Sequence, residues 1–368
     1  MKFSIFKYFA MGIILLTIVW GRHFISSAQS PDLSMRDLLR FRIEVGGVPL
    51  KISVGKEPIY AAIVLPIFYE RRVYQPAWTD SQGPLPQTET LLNAIRHADR
   101  EGLRPGDYHL GKIDAILSEL HQTPELWEQP SPRQLIDLDF LLTDAFLIYS
   151  SHLIGGRINP EQIDPQWFAN RREADLAQLL EDALSSNQIE ETLAALLPAY
   201  AGYTRLRDTL AIYRKLTETG GWPTVPSGNK LRIGDRSERI PLLRQRLAAE
   251  GFLTNVGADD QTLFDSELEQ ALKKFQAQNG LETDGILGSQ TLQALNISAD
   301  QRIRQIVVNM ERWRWLPQNL GDCYVLVNIA SFNLDVVEQE TPVLNMRVVS
   351  GKPYRKTPVF SDKITYLV

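Results

Sequence analysis

One cysteine, five histidines and a short basic loop are the features of this 368-residue chain best suited to covalent or ionic chemistry. Cys323 opens the alternating run Cys323-Tyr324-Val325-Leu326-Val327, which reads as a β-strand. A thiol becomes a nucleophile when a histidine or another cation lowers its pKa. No histidine lies near Cys323 in sequence, the last being His152. We therefore expect Cys323 to be an inert small side chain on the strand face shared with Val325 and Val327, and we expect no catalytic residue in the chain. His97, His109, His121 and His152 are scattered without metal-ligand spacing or a cysteine partner, so we expect neither a metal nor a cofactor. The acidic pairs Asp259-Asp260 and Glu190-Glu191 read as solvated loop and helix surface rather than the paired carboxylates of a glycosidase. Lys352 and Arg355 sit on a loop between strands, where a basic side chain would pair with a carboxylate; an exposed basic turn is the plainer reading.

The elements that must position these residues divide the chain into regions. Its length allows two or three domains, and hydrophobic (44%) and charged (23%) contents near globular averages exclude wholesale disorder. A net charge of -5 argues against nucleic acid as a partner, which would need a basic stripe. Lys2 and Lys7, the apolar run Phe9 to Trp20, and the small residues Ser26-Ser27-Ala28 form an export signal over residues 1–28. The apolar run is shorter than the roughly 20 residues that cross a bilayer, so a cleaved leader is favoured over an anchor, and membrane contact is expected only through it. A single cysteine in an exported protein leaves stability to packing alone.

Residues 29–226 read as a mainly helical domain. Phe41-Arg42-Ile43-Glu44-Val45 and Leu50 to Val54 around Gly46-Gly47 suggest an initial hairpin. Leu135, Leu138, Leu142, Ala145, Tyr149 and Leu153 then fall on one helical face, and Tyr203, Leu206, Leu210 and Tyr213 on another. Gly221 to Gly228, dense in proline and glycine, reads as a linker. A compact three-helix module follows at 231–297, its second helix opening with the capping box Ser266-Glu267-Leu268-Glu269. From 302 a helix through Val307 and Trp313 leads into strands at Phe332 to Val336 and Leu344 to Val348. The chain ends in a further strand at Ile364 to Val368. So short a β-region makes a poor core alone, and we read it as the opening of an incomplete domain. The expected fold class is thus multidomain and mainly α, followed by an incomplete, mostly-β part.

Three segments resemble the large L,D-transpeptidases of Gram-negative cell envelopes. Tyr74-Gln75-Pro76-Ala77-Trp78, Gly102 to Tyr108, Gly156-Arg157-Ile158-Asn159-Pro160 and Tyr203 to Trp222 are similar to the recurring phrases of their scaffold domain. Leu243, Arg246-Leu247, Gly251, Phe275-Gln276, Gly280-Leu281, Asp284-Gly285, Gly288 and Thr291-Leu292 resemble the common peptidoglycan-binding module. Glu311 to Pro317 and Gly351 to Pro358 resemble the start, over 302–368, of the catalytic domain. The resemblance implies a periplasmic protein whose partners are peptidoglycan glycan strands and stem peptides. Lys352 and Arg355 would meet a stem-peptide carboxylate, and Gln276 and Asp284 would line the module's groove. It also implies 3→3 cross-linking by acyl transfer to a cysteine, carried by a histidine and a Ser-His-Gly-Cys-x-Arg segment. Neither occurs downstream of residue 302 here, so we expect the chain alone to be inactive. The alternative reading is a non-catalytic peptidoglycan-binding or scaffolding protein.

Overall fold

The computed structural model describes residues 34–122, 130–165, 167–168, 172–254, 260–318, 320–352 and 354–365. The expected export signal, Asp259 and the last three residues lie outside them. As the sequence indicates, the described chain is helical through most of its length and becomes mostly β near its end.

Its first element corrects the expected hairpin. Residues 41–45 belong to helix α1 (Met35–Gly46), capped by the Ser34 side chain accepting from the Asp37 amide. The alternation from Phe41 to Val45 mimics a strand. Leu39 and Ile43, four residues apart, nonetheless form one buried helical face, and Arg42 pairs with Asp137. Only Ser53–Val54 (β1) is extended, paired with Glu57–Pro58 (β2).

The helices α2 (Val64–Arg71), α3 (Gln87–Arg96) and α4 (Leu110–Gln122), with the small hairpin β3 (Thr79–Asp80) and β4 (Gly83–Pro84), gather around α5 (Pro132–Gly155). The leucine stripe of α5 is buried as expected, but so are residues on its other faces. A helix buried all round must satisfy its polar residues internally. Asp139, fully buried, accepts from the Tyr69 hydroxyl at 2.6 Å, the Trp78 amide at 2.8 Å, the Thr79 hydroxyl at 2.9 Å and the Ala77 amide at 3.0 Å. Asp144 accepts from the Ala61 amide at 2.6 Å and bonds His109 Nε2 at 2.7 Å, while His109 Nδ1 faces Glu57 at 3.3 Å. These two aspartates pin the preceding loops to the central helix. A short helix α6 (Pro160–Ile163), strand β5 (Trp167–Phe168) and helices α7 (Leu176–Ser186) and α8 (Ile189–Ala195) complete this layer.

Helix α9 (Ala201–Glu218) packs along α13 (Ala299–Arg314) through a small core of Tyr203, Leu210, Ile306 and Met310. Between them in sequence stand α10 (Ile240–Ala249), α11 (Ser266–Gln278) and α12 (Ser289–Leu295), which enclose Leu243, Leu247, Phe264, Leu268, Leu272 and Phe275. The cap of α11 falls one residue earlier than expected. Asp265, not Ser266, accepts from the Leu268 amide at 2.9 Å, and the same carboxylate pairs with the buried Arg244. Nor does the Pro/Gly-rich stretch behave as a loose linker, because Val225 is fully buried in the module's core.

Strands β6 (Cys323–Asn328), β7 (Asn333–Glu338) and β8 (Thr341–Arg347) form an antiparallel sheet in which Val325 stands beside Val336 and Leu344, and Val327 beside Leu334 and Met346. This face is apolar and largely bare, with Val325, Val327, Leu344 and Met346 all exposed. The last strand among the described residues, β9 (Val359–Phe360), pairs in parallel with β5 of the helical region, whereas Ile364 and Thr365, expected to open a further strand, lie outside any strand.

Candidate functional site

In the three-helix module the sequence-expected residues Gln276 and Asp284 do come together. Gln276 is buried on α11, where its side-chain oxygen accepts from the Gly285 amide at 2.9 Å. Its Nε2 donates to Asp284 Oδ1 at 2.8 Å and lies within reach of the Ile286 carbonyl and the Thr291 hydroxyl. Gln276 therefore shapes the turn from within, and Asp284 is the member of the pair at the surface. Hydrogen bonds from the Ile286 amide and Gln276 hold the Asp284 carboxyl below the usual aspartate range. Gly285 is required here, since its φ is +73° and a Cβ would come within 2.8 Å of Glu269 and Lys273 side-chain carbons.

The module is mounted on its neighbours by a buried cation. Arg246 lies 3.9 Å from the centroid of the Trp222 ring, donates to the Leu295 carbonyl at 2.6 Å and pairs with Glu250 at 2.5 Å. Glu250 in turn accepts from the Tyr213 hydroxyl of α9 at 2.5 Å. Trp222 Nε1 donates to the Ile297 carbonyl, and Asn296 and Val225 exchange two hydrogen bonds of 2.9 Å. By sequence Trp222 belongs to a linker and Arg246 is a landmark of the module. Their juxtaposition, 24 positions apart, has no local signature.

Several motif residues that carry polar groups prove to be packing devices. Glu311 Oε1 accepts from the amides of Arg157 at 2.6 Å and Ile158 at 3.0 Å, and from Trp315 Nε1 at 3.3 Å. A Cβ on Gly156 would stand 2.4 Å from that oxygen. Arg314, almost wholly buried, donates to the Glu101 carbonyl and to the Tyr203 hydroxyl, which itself donates to the Glu101 carboxylate at 2.7 Å. Arg157 pairs with Asp107 at 3.0 Å. The phrases around residues 102–108, 156–160, 203 and 311–317 thus converge on one interlock between α13 and the helical region.

The basic loop is exposed. Arg355 donates its amide to the Lys352 carbonyl at 2.8 Å, and Gly351 donates to the Thr357 hydroxyl at 2.7 Å. Among the described residues neither the Lys352 ammonium nor the Arg355 guanidinium has an acidic partner, and Tyr354 between them is 75% exposed. A shallow hollow of about 430 Å³, bounded by Phe332 and residues 347–350, lies at the start of this loop. Lys356 approaches Asp164 at 3.9 Å, and β9 follows directly, so the loop's far end is tied to the helical region. Among the described residues no hydrogen bond or ion pair links Lys352 or Arg355 to Gln276 or Asp284.

Cys323 opens β6 opposite Glu338 and is exposed together with Val325 and Val327. The described histidines are engaged elsewhere. His97 and His121 bond carbonyls of their own helices, His109 bonds Asp144, and His152 bonds the Tyr108 hydroxyl at 3.0 Å. Among the described residues no three His, Cys, Asp or Glu side chains converge as a metal site, and no helix is long and apolar enough to cross a membrane. Asp260 is held by Arg236 and Thr262 at the surface.

Residues 64–210 match the family model described as a scaffold domain, and residues 236–295 match a putative peptidoglycan binding domain. The chain is also 40% identical over 80 residues to the N-acetylmuramoyl-L-alanine amidase CwlM of Mycobacterium tuberculosis. That alignment covers 20% of this chain and 20% of the amidase, so the chain spans about a fifth of the length of the curated relative it matches. The chain is therefore a cell-wall-related multidomain protein that joins a scaffold domain to a peptidoglycan-binding domain.

Proposed function

We propose that this peptidoglycan-associated protein is the scaffold, binding and leading catalytic portion of an exported, periplasmic L,D-transpeptidase, with regions at 29–226, 231–297 and 302–368 after a leader at 1–28. The observation that carries the reading is the matched peptidoglycan-binding domain, clamped through Arg246 and Trp222 and followed by a β-region whose loop presents Lys352 and Arg355 without an acidic partner among the described residues. In this reading the module holds a glycan strand near its Asp284 turn, with Gln276 fixing that turn from inside. Lys352 and Arg355 meet the terminal carboxylate of a stem peptide by charge-assisted hydrogen bonds. The bare apolar face of β6, β7 and β8 packs against a further layer of the catalytic domain, since apolar faces of sheets require cover. The whole enzyme would form 3→3 cross-links by transfer of an acyl group to a cysteine thiolate activated by histidine.

This chain does not perform that step in our reading, because its one cysteine is exposed on β6 and bonded to no histidine among the described residues. Titration with a soluble stem peptide ending in a free carboxylate, and with its C-terminal amide, tests the role of the loop. Binding of the free acid should weaken about tenfold on the change Lys352→Ala plus Arg355→Ala, with little effect on the amide. Equal binding of acid and amide, unchanged in the double variant, would remove the loop from the site. The non-catalytic alternative shares this expectation of inactivity, and intact mass after exposure to an acylating β-lactam tests it for both. No adduct is expected on this chain, and an adduct at Cys323 would overturn its inactivity.

A further inference from the structure

A cleft in the helical region, far in sequence from the peptidoglycan module and the basic loop, has the features of a binding site of its own. It opens between α3, the 3-10 turn Ala98–Glu101 that follows it, α5 and α8, and encloses about 150 Å³. At about 30 Å³ per water this is room for roughly five waters, or a ligand of about six non-hydrogen atoms. Tyr149 of α5 lines it. The residue is 4% exposed, yet its hydroxyl has no hydrogen-bond partner among the described residues, in contrast to Tyr69, Tyr108 and Tyr203 around it. The ring is buried while the hydroxyl keeps contact with solvent through the cleft, so an oxygen with no protein partner there is available to water or to a ligand. Burial, reinforced by the nearby Glu101 carboxylate, pushes this phenol well above its usual range, so it stays protonated as a donor.

The charges around the cleft are of opposite sign and uncommitted. Arg100, from the 3-10 turn, and Glu190, from the first turn of α8, both line it, and the side chain of neither forms an ion pair with a described residue. Glu101 also lines it, but that carboxylate already accepts from the Tyr203 hydroxyl at 2.7 Å and faces Arg207 at 3.5 Å. Leu153 and Leu193 supply apolar wall. We propose that this cleft binds a small zwitterionic α-amino acid. Arg100 and the Tyr149 hydroxyl take its carboxylate, Glu190 takes its ammonium, and a side chain no larger than a methyl or ethyl group rests on Leu153 and Leu193. Neither a simple amine nor a simple carboxylic acid satisfies both charged walls.

Isothermal titration of the full chain with L-alanine, D-alanine and glycine tests this, with ethylamine and propionate as single-charge probes. Saturable one-to-one binding of at least one amino acid is expected below about 10 mM, with each single-charge probe at least about tenfold weaker. Arg100→Gln and Glu190→Gln alter exposed residues and leave the fold intact, and each should weaken binding about tenfold or more. Tyr149→Phe removes only the hydroxyl and should weaken it severalfold. No saturable binding of any amino acid up to about 10 mM, or binding that none of the three substitutions weakens, would overturn the proposal.

Discussion

His152 offers a sensitive test of how the interlock around α5 is built. Its imidazole Nδ1 lies 3.0 Å from the Tyr108 hydroxyl, and burial, reinforced by the nearby Arg157 guanidinium, holds its pKa down at about 4. In the unfolded chain the same group titrates near 6.5. A histidine held neutral contributes fully above the unfolded value, and that contribution is lost as pH falls from about 6.5 toward about 4, because only the unfolded chain gains the proton. Between pH 7.5 and pH 5 the linkage amounts to about 2 kcal/mol of stability lost through this one residue. Replacing His152 with Asn keeps a polar partner for Tyr108 and removes the titration. Hydrogen exchange of α5 amides along a urea titration, at both pH values, gives the local opening free energy of wild type and variant. Other titrating groups, His109 included, are common to both proteins and drop out of the difference. The variant should lose about 2 kcal/mol less than wild type on going to pH 5. Equal losses in the two proteins, whatever their baselines, would refute a desolvated, neutral His152.

Other expectations rest on separate contacts. Asp139→Ala removes the acceptor shared by four donors and leaves the buried Ala77 and Trp78 amides with no other partner among the described residues, so it should cost about 3–5 kcal/mol in urea unfolding; a cost under about 1 kcal/mol would contradict the network. Trp222→Ala removes the ring beneath the Arg246 guanidinium, and cleavage by protease at 223–230 should accelerate at least about tenfold if that stretch is clamped rather than loose. At His109, burial opposes the charge, but the bonds to Asp144 and Glu57 outweigh it and raise the pKa. Its contribution is therefore present below about pH 6.5 and lost as pH rises through the raised value, so His109→Gln should flatten stability on the alkaline side. A variant whose pH profile tracks wild type there would reject the charged pair.

The helical stripe of α5 was legible because one apolar face repeated over many turns, and the strands expected at 332–336 and 344–348 because apolar and polar residues alternate there, although the strands run over 333–338 and 341–347. Helix α1 was misread for the opposite reason: its five-residue alternation is too short to distinguish a strand from a helix that buries only Leu39 and Ile43. Composition suggested a linker at 221–228, yet proline and glycine report only local backbone preferences. They cannot register that Val225 fills the module's core or that Trp222 lies against Arg246. Within the candidate site, Asp284-Gly285 announced its turn, and Gln276 was found but proved to act from inside it. The roles of Glu311 and Arg314 were hidden because their partners stand more than 100 residues away. The Tyr149 cleft was equally hidden, since the tyrosine looked like one more core residue in a stripe.

Co-sedimentation of the purified chain with isolated, protein-free sacculi tests the central claim most directly. Saturable enrichment in the pellet is expected, competed by soluble peptidoglycan fragments and lost when the matched residues 236–295 are deleted together with their clamp. A pelleted fraction no greater than that of an unrelated protein of similar charge would contradict it.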